Sequence, residues 1–200
     1  MIESVIFDWG GVLIEDPMPE HTAYCAKALA VPQADFSKAT MLFTRDYERG
    51  FFTEQVFWEK VCGILKVPAP TRRSLWADGF KAAYAPRQDV FSLACRLHQQ
   101  GCKTALLSNT EMPCVEYFHQ RRYDMFDVLV FSCNEGASKP ERRIYEITVE
   151  RLGSPPDRSV FIDDNPAYIA GAEQVGLHTI LFESISQLKN ELARLGLKTD

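Results

Sequence analysis

The chain has 200 residues, 46% hydrophobic and 24% charged, a soluble globular balance with enough apolar material for a sizeable core. Its 22 Lys and Arg against 27 Asp and Glu give a net charge of −5, and the lack of a basic block argues against general nucleic-acid binding. No apolar run approaches the roughly 18 residues of a membrane span, and six scattered cysteines without a C-x-x-C pair make neither a disulfide framework nor a zinc site. A soluble, cytoplasmic protein is expected.

The first apolar run, Val5-Ile6-Phe7, stops at Asp8 and the pair Gly10-Gly11. It is too short for a buried helix and does not alternate, as expected of a strand covered on both faces. No comparable run follows from about Asp16 to Ala85, where short helices are expected at 20–30, 34–48, 53–66 and 71–83, with Pro68 and Pro70 as punctuation. Such a block after the first strand would form a small lid. Residues 87–100 then set Val90, Leu93, Ala94 and Leu97 at helical spacing before Gly101. Strand runs return at Thr104–Leu107, Val128–Phe131, Val160–Ile162 and Thr179–Phe182, with helices expected at 141–152 and 166–175, the latter opened by Pro166. This order predicts an α/β fold with a doubly wound parallel sheet. Residues 1–15 and 86–200 would make the α/β core domain, and 16–85 an inserted helical subdomain.

Ligands of open α/β sheets bind beyond the carboxyl ends of the strands. Those ends lead here to Asp8, to Ser108-Asn109, to Ser138-Lys139-Pro140 and to Asp163-Asp164. Three crowded carboxylates repel one another unless a cation neutralises them, and hard oxygen ligands suit Mg²⁺. Magnesium and Lys139, with Ser108 as a further donor, would bind an anion such as a phosphoryl group, which a neighbouring carboxylate can attack.

In these motifs and their order the chain resembles the haloacid dehalogenase superfamily, in the subgroup whose helical cap follows the first strand. The resemblance runs over nearly the whole length and includes the cap segment Tyr47-Glu48-Arg49-Gly50 and Thr53. It implies that Asp8 is the nucleophile and a metal ligand. The Gly10 carbonyl and Asp164 would be further Mg²⁺ ligands, with Asp163 supporting the metal. Ser108 and Asn109 would hold phosphoryl oxygens, and Lys139 would neutralise the charge shared by Asp8 and phosphate. The implied activity is hydrolysis of small phosphorylated metabolites such as sugar phosphates.

One departure bears on that activity. Family phosphatases carry a second Asp two residues after the nucleophile, as acid and then base, and Gly10 stands there. General acid–base catalysis is worth roughly 10²–10⁴-fold, so slow turnover is expected unless Glu15 or Asp16 substitutes. A 2-haloacid dehalogenase, a phosphonate-cleaving enzyme using Lys27, Lys38, Lys60 or Lys66, and a non-catalytic binding protein are the alternatives. Arg45 and Arg49 read as surface ion-pair residues, and His21, His98, His119 and His178 show no ligand spacing. Trp9 fits a role in the site or in packing equally well.

Overall fold

The computed structural model describes residues 1–199. Its five strands, β1 (Ser4–Phe7), β2 (Lys103–Ser108), β3 (Val128–Phe131), β4 (Ser159–Asp163) and β5 (His178–Leu181), form one sheet in the order β3-β2-β1-β4-β5. Every pairing is parallel, with Phe7 opposite both Leu106 and Ile162. The central strand β1 is buried along its length, which explains its unalternating apolar sequence. The order reverses direction at β1, opening a crevice at the carboxyl ends of β1 and β4.

Side chains on the two faces of the sheet enter two separate cores. Val5, Phe7, Leu106, Val160 and Ile162 pack with α6 (Gln88–Gln99), α7 (Met112–Arg121) and α11 (Ile185–Arg194). Ile6, Ala105, Leu107, Val130 and Phe161 pack with α9 (Arg142–Leu152) and α10 (Pro166–Glu173). The remaining core-side helix, α8, is a single turn over Ser132–Glu135. No described helix is long and apolar enough to cross a membrane.

Between β1 and α6 lie five helices, α1 (Met18–Ala28), α2 (Gln33–Met41), α3 (Thr44–Glu48), α4 (Glu54–Leu65) and α5 (Leu75–Ala83). The single helix expected over 34–48 is broken at Leu42-Phe43. The Thr40 hydroxyl donates back to the Phe36 and Ser37 carbonyls, and Phe43 leaves helical geometry at φ −130°. The start expected at 71 moves to Leu75 because Ser74 supplies the N-cap, accepting from Ala77 N at 2.9 Å. Three helices, α7, the single-turn α8 and α11, arise outside the stretches where helices are expected.

An aromatic cluster holds the inserted helices together. Tyr47 stacks on Phe57 with centroids 4.5 Å apart, and Trp76 meets both edge-on at 5.3 and 5.0 Å. The two connections to the sheet domain are bonded to each other, Glu15 N donating to the Ala85 carbonyl and Arg87 N to the Leu13 carbonyl, each at 2.9 Å. Arg87 clasps Glu15 at 2.7 Å across the same junction.

Candidate active site

The turn after β1 is built by its glycines. Leu13 N and Ile14 N both donate to the Trp9 carbonyl, and the chain reverses through Gly11 at φ +84°, a left-handed conformation that suits glycine. Glycine also leaves room for the Asp164 carboxylate, because a Cβ would lie 2.7 Å from Asp164 Oδ1 and closer still to Oδ2. At Gly10 an added Cβ meets only Pro17 Cδ, at 3.4 Å.

The strand ends then converge on a cavity of about 540 Å³. Asp8, Gly10, Ser108, Asn109, Lys139 and Asp164 all line it, so six of the seven expected site residues share one wall. The seventh, Asp163, is fully buried behind Lys139. The Lys139 ammonium lies 2.7 Å from Asp8 Oδ1 and 2.6 Å from Asp163 Oδ2. Asp163 Oδ1 accepts from Asn165 N at 2.8 Å, and Asp8 Oδ1 also accepts from Trp9 N at 2.7 Å. Asn109 does not cap the helix that follows it. Its Oδ1 accepts from Lys139 N at 2.8 Å and its Nδ2 donates to the Lys139 carbonyl at 3.0 Å, locking the lysine's backbone to the end of β2.

Carboxylate oxygens of Asp8, Asp163 and Asp164 fall within 4.8 Å of one another. Burial raises the Asp8 carboxyl above its ordinary range, Lys139 opposing and Asp163 adding to the rise. Burial disfavours the Lys139 ammonium, yet Asp8 and Asp163 hold it above the usual lysine range. Burial and Asp163 also raise Asp164. One ammonium among three acids leaves a surplus of negative charge on hard oxygen donors, a donor set that fits a divalent cation such as Mg²⁺.

Several cavity residues were not singled out in the sequence. Tyr168 sets its ring 4.9 Å from the Lys139 ammonium. Glu111, buried at the start of α7, accepts from the Trp76 indole N–H at 2.9 Å, tying the inserted helices to the sheet domain. Glu48, within the quoted segment Tyr47–Gly50, also lines the wall. His21, which no ligand spacing marks in the sequence, is 2% exposed and lines the cavity. Burial pulls its imidazole down to about 4. The other three histidines lie away from the cavity lining. Trp9 does both things expected of it, lining the cavity while its ring packs 5.0 Å from Phe80 and 5.2 Å from Phe118.

The candidates for surrogate acid separate. Glu15 is held by Arg87 outside the cavity, whereas Asp16 lines its mouth and accepts from Met18 N at 3.0 Å. Lys27, Lys38, Lys60 and Lys66 are exposed and none lines the cavity, so an imine-forming lysine from the insert is not supplied. Arg45 and Arg49 make the expected ion pairs, both with Glu141, at 3.3 and 3.4 Å, and so bridge the inserted helices to the sheet domain.

Comparison with known proteins agrees with this fold. Mouse acyl-CoA dehydrogenase family member 10 is 29% identical over 96% of this chain, which spans about a fifth (19%) of that protein's length. Protein CbbY of Cereibacter sphaeroides is 25% identical, with 98% of this chain and 95% of that protein covered. A HAD family enzyme of Bacteroides thetaiotaomicron, solved in complex with magnesium and inorganic phosphate, superposes with a TM-score of 0.77 at 20% identity, covering 94% of this chain and 99% of that one. The haloacid dehalogenase-like hydrolase profile matches residues 2–176, and the chain belongs to that family of hydrolases.

Proposed function

We propose that the protein is a Mg²⁺-dependent phosphatase of small phosphorylated metabolites, with residues 1–15 and 86–200 as its core domain and 16–85 as its cap. The observation that carries this reading is Lys139, buried and ion-paired with Asp8 at the end of the central strand, with Asp164 and the Ser108-Asn109 pair on the same cavity wall. The magnesium and phosphate held by the Bacteroides enzyme support it.

Asp8 is the nucleophile. Its Oδ1 is fixed by Lys139 and Trp9 N, which orients the carboxylate before substrate arrives. Attack forms an Asp8–phosphorus bond and breaks the ester bond to the alcohol, whose oxygen takes its proton from water because Gly10 offers none. Water then cleaves the aspartyl phosphate, releasing phosphate and restoring Asp8. Lys139 balances charge on Asp8 and the phosphoryl oxygens, and Ser108 donates to one of those oxygens. Asn109 acts through Lys139, whose backbone it holds. Asp8, Asp164 and the Gly10 carbonyl would hold Mg²⁺, with Asp163 positioning Lys139 beside them, and the ion supplies electrostatic stabilisation of the phosphoryl charge.

Hydrolysis of p-nitrophenyl phosphate tests the proposal, because its activated leaving group needs little protonation. Turnover by the wild type with Mg²⁺, lost with EDTA and in Asp8→Asn, is the expected result. Equal rates for wild type and Asp8→Asn would overturn it.

A further inference from the structure

The cavity has a second half that phosphoryl chemistry does not use. Its walls include Trp9, His21, Glu48, Trp76, Phe80 and Glu111. The His21 Nε2 lies 3.2 Å from the Trp76 carbonyl, which can only accept, so Nε2 carries the hydrogen and Nδ1 presents a lone pair. That buried Nδ1 has no hydrogen-bond partner among the described residues, and neither has the Trp9 indole N–H. Buried polar atoms are nearly always paired in folded proteins, so these two residues of one cavity leave a demand for a donor at His21 and an acceptor at Trp9, which a hydroxyl meets both ways.

The charge of this half is one-sided. Lys139 is the sole basic side chain in the cavity lining besides the histidine, and Asp8 and Asp163 already share its ammonium. Glu48 and Glu111 face it without a matching cation, and Asp16 adds a third carboxylate at the mouth. Burial raises both glutamates, Lys139 opposing the rise at Glu48 and Glu48 adding to it at Glu111, so a donor or a cation brought beside either one is favoured. Arg45 lines an adjoining groove of about 510 Å³, where its guanidinium is paired with Glu141.

Resting on the phosphatase reading above, we propose that the substrate's alcohol has a small apolar body with hydroxyl or protonated-amine donors and carries no second anionic group. Trp9, Trp76 and Phe80 receive the carbon skeleton. His21 Nδ1 accepts from a hydroxyl or ammonium donor, and an ammonium also meets ring faces and the glutamates. A cavity of this size encloses a small metabolite. A carboxylate or second phosphate on the same skeleton meets Glu48 and Glu111 with no further lysine or arginine in the lining to balance it.

The test compares kcat/KM, with Mg²⁺ present, for three phosphomonoesters of similar size: 2-aminoethyl phosphate, glycerol 1-phosphate and phosphoglycolate. p-Nitrophenyl phosphate serves as the reference. The first two should exceed phosphoglycolate at least ~10-fold, about 1.4 kcal/mol of discrimination. Glu48→Gln should shrink the aminoethyl-to-glycolate ratio at least threefold, mainly through KM. Glu111→Gln, which keeps an acceptor for the Trp76 indole, is the second variant should the first not fold. If p-nitrophenyl phosphate is hydrolysed and neither ester exceeds phosphoglycolate tenfold, this proposal alone is overturned. If p-nitrophenyl phosphate is not hydrolysed either, the phosphatase reading falls with it.

Discussion

Replacing Gly11 with alanine isolates a single contact between the turn after β1 and the end of β4. The residue sits at φ +84°, where an L side chain costs roughly 1–2 kcal/mol. For a chain of this length that lowers Tm by about 2–8 °C. The new Cβ would also overlap the Asp164 carboxylate, lying 2.7 Å from Oδ1 where real Cβ atoms stay beyond 3.0 Å. Asp164 is exposed, so its carboxylate swings outward at little further cost to the fold. If Asp164 holds Mg²⁺ as proposed, the damage falls on metal binding instead, because a ligand misplaced by about 1 Å is worth on the order of 10²-fold in function. Thermal unfolding with and without Mg²⁺ reads both effects, as does the Mg²⁺ activation curve for p-nitrophenyl phosphate. The modest Tm loss should appear without metal, the Mg²⁺-induced rise in Tm should shrink, and half-activation should need at least ~10-fold more Mg²⁺. In an Asp164→Ala background the same substitution should add only the backbone cost, since the carboxylate is gone. A Gly11→Ala protein with the wild-type response to Mg²⁺ refutes the reasoning.

Gly10→Asp should be accommodated, since a Cβ there meets only Pro17 Cδ at 3.4 Å, and it restores an acid beside the nucleophile. Turnover of alkyl phosphates should rise roughly 10²-fold while p-nitrophenyl phosphate gains far less, and equal gains for the two would contradict a missing general acid. Asn109→Ala removes two bonds to the Lys139 backbone, at 2.8 and 3.0 Å, and should cost about 1–3 kcal/mol in urea unfolding together with a tenfold fall in kcat. An unchanged kcat would show that the lysine needs no such clamp. His21 is held at about 4 by burial against an ordinary value of 6.5. Its contribution is therefore complete above pH 6.5 and is lost as pH falls from there through about 4, to a limit of roughly 3 kcal/mol. Urea unfolding of wild type and His21→Gln across that range should show the wild type losing more, and parallel curves would count against a neutral buried imidazole.

The sheet was legible because its strands are covered on both faces and read as unbroken apolar runs, each with its polar residue just past the end. That placed Asp8, Ser108 and Asp163 at strand ends, as found. Helix α11 carries a legible signal in the N-cap Ser184 followed by Ile185, Leu188 and Leu192 at helical spacing. The break at Leu42-Phe43 depends on threonine hydroxyls turning back on the helix, which hydrophobic periodicity does not register. The far wall of the cavity was hidden for a different reason. Glu111 touches Trp76 only because the inserted helices pack on the sheet domain, and His21 touches the Trp76 carbonyl only because α1 packs on α5. Such long-range contacts leave no trace in local spacing, and Gly11 reveals its second role only once Asp164 lies beside it.

The position of β1 in the sheet has a consequence for how the protein is made. Ser4 pairs with Lys103 on one side and with Ser159 on the other. The strand that leads to Asp8 leaves the ribosome well before both of its neighbours. At typical elongation rates of about 5–20 residues per second, the first partner follows after roughly 5–20 s and the second after roughly 8–31 s. Through that interval Val5-Ile6-Phe7 is an apolar segment with both edges unpaired, and the helices of the insert emerge before it can be covered. A nascent chain stalled before β4 should hold chaperones and aggregate, because the strand that leads to Asp8 is then still open along one edge.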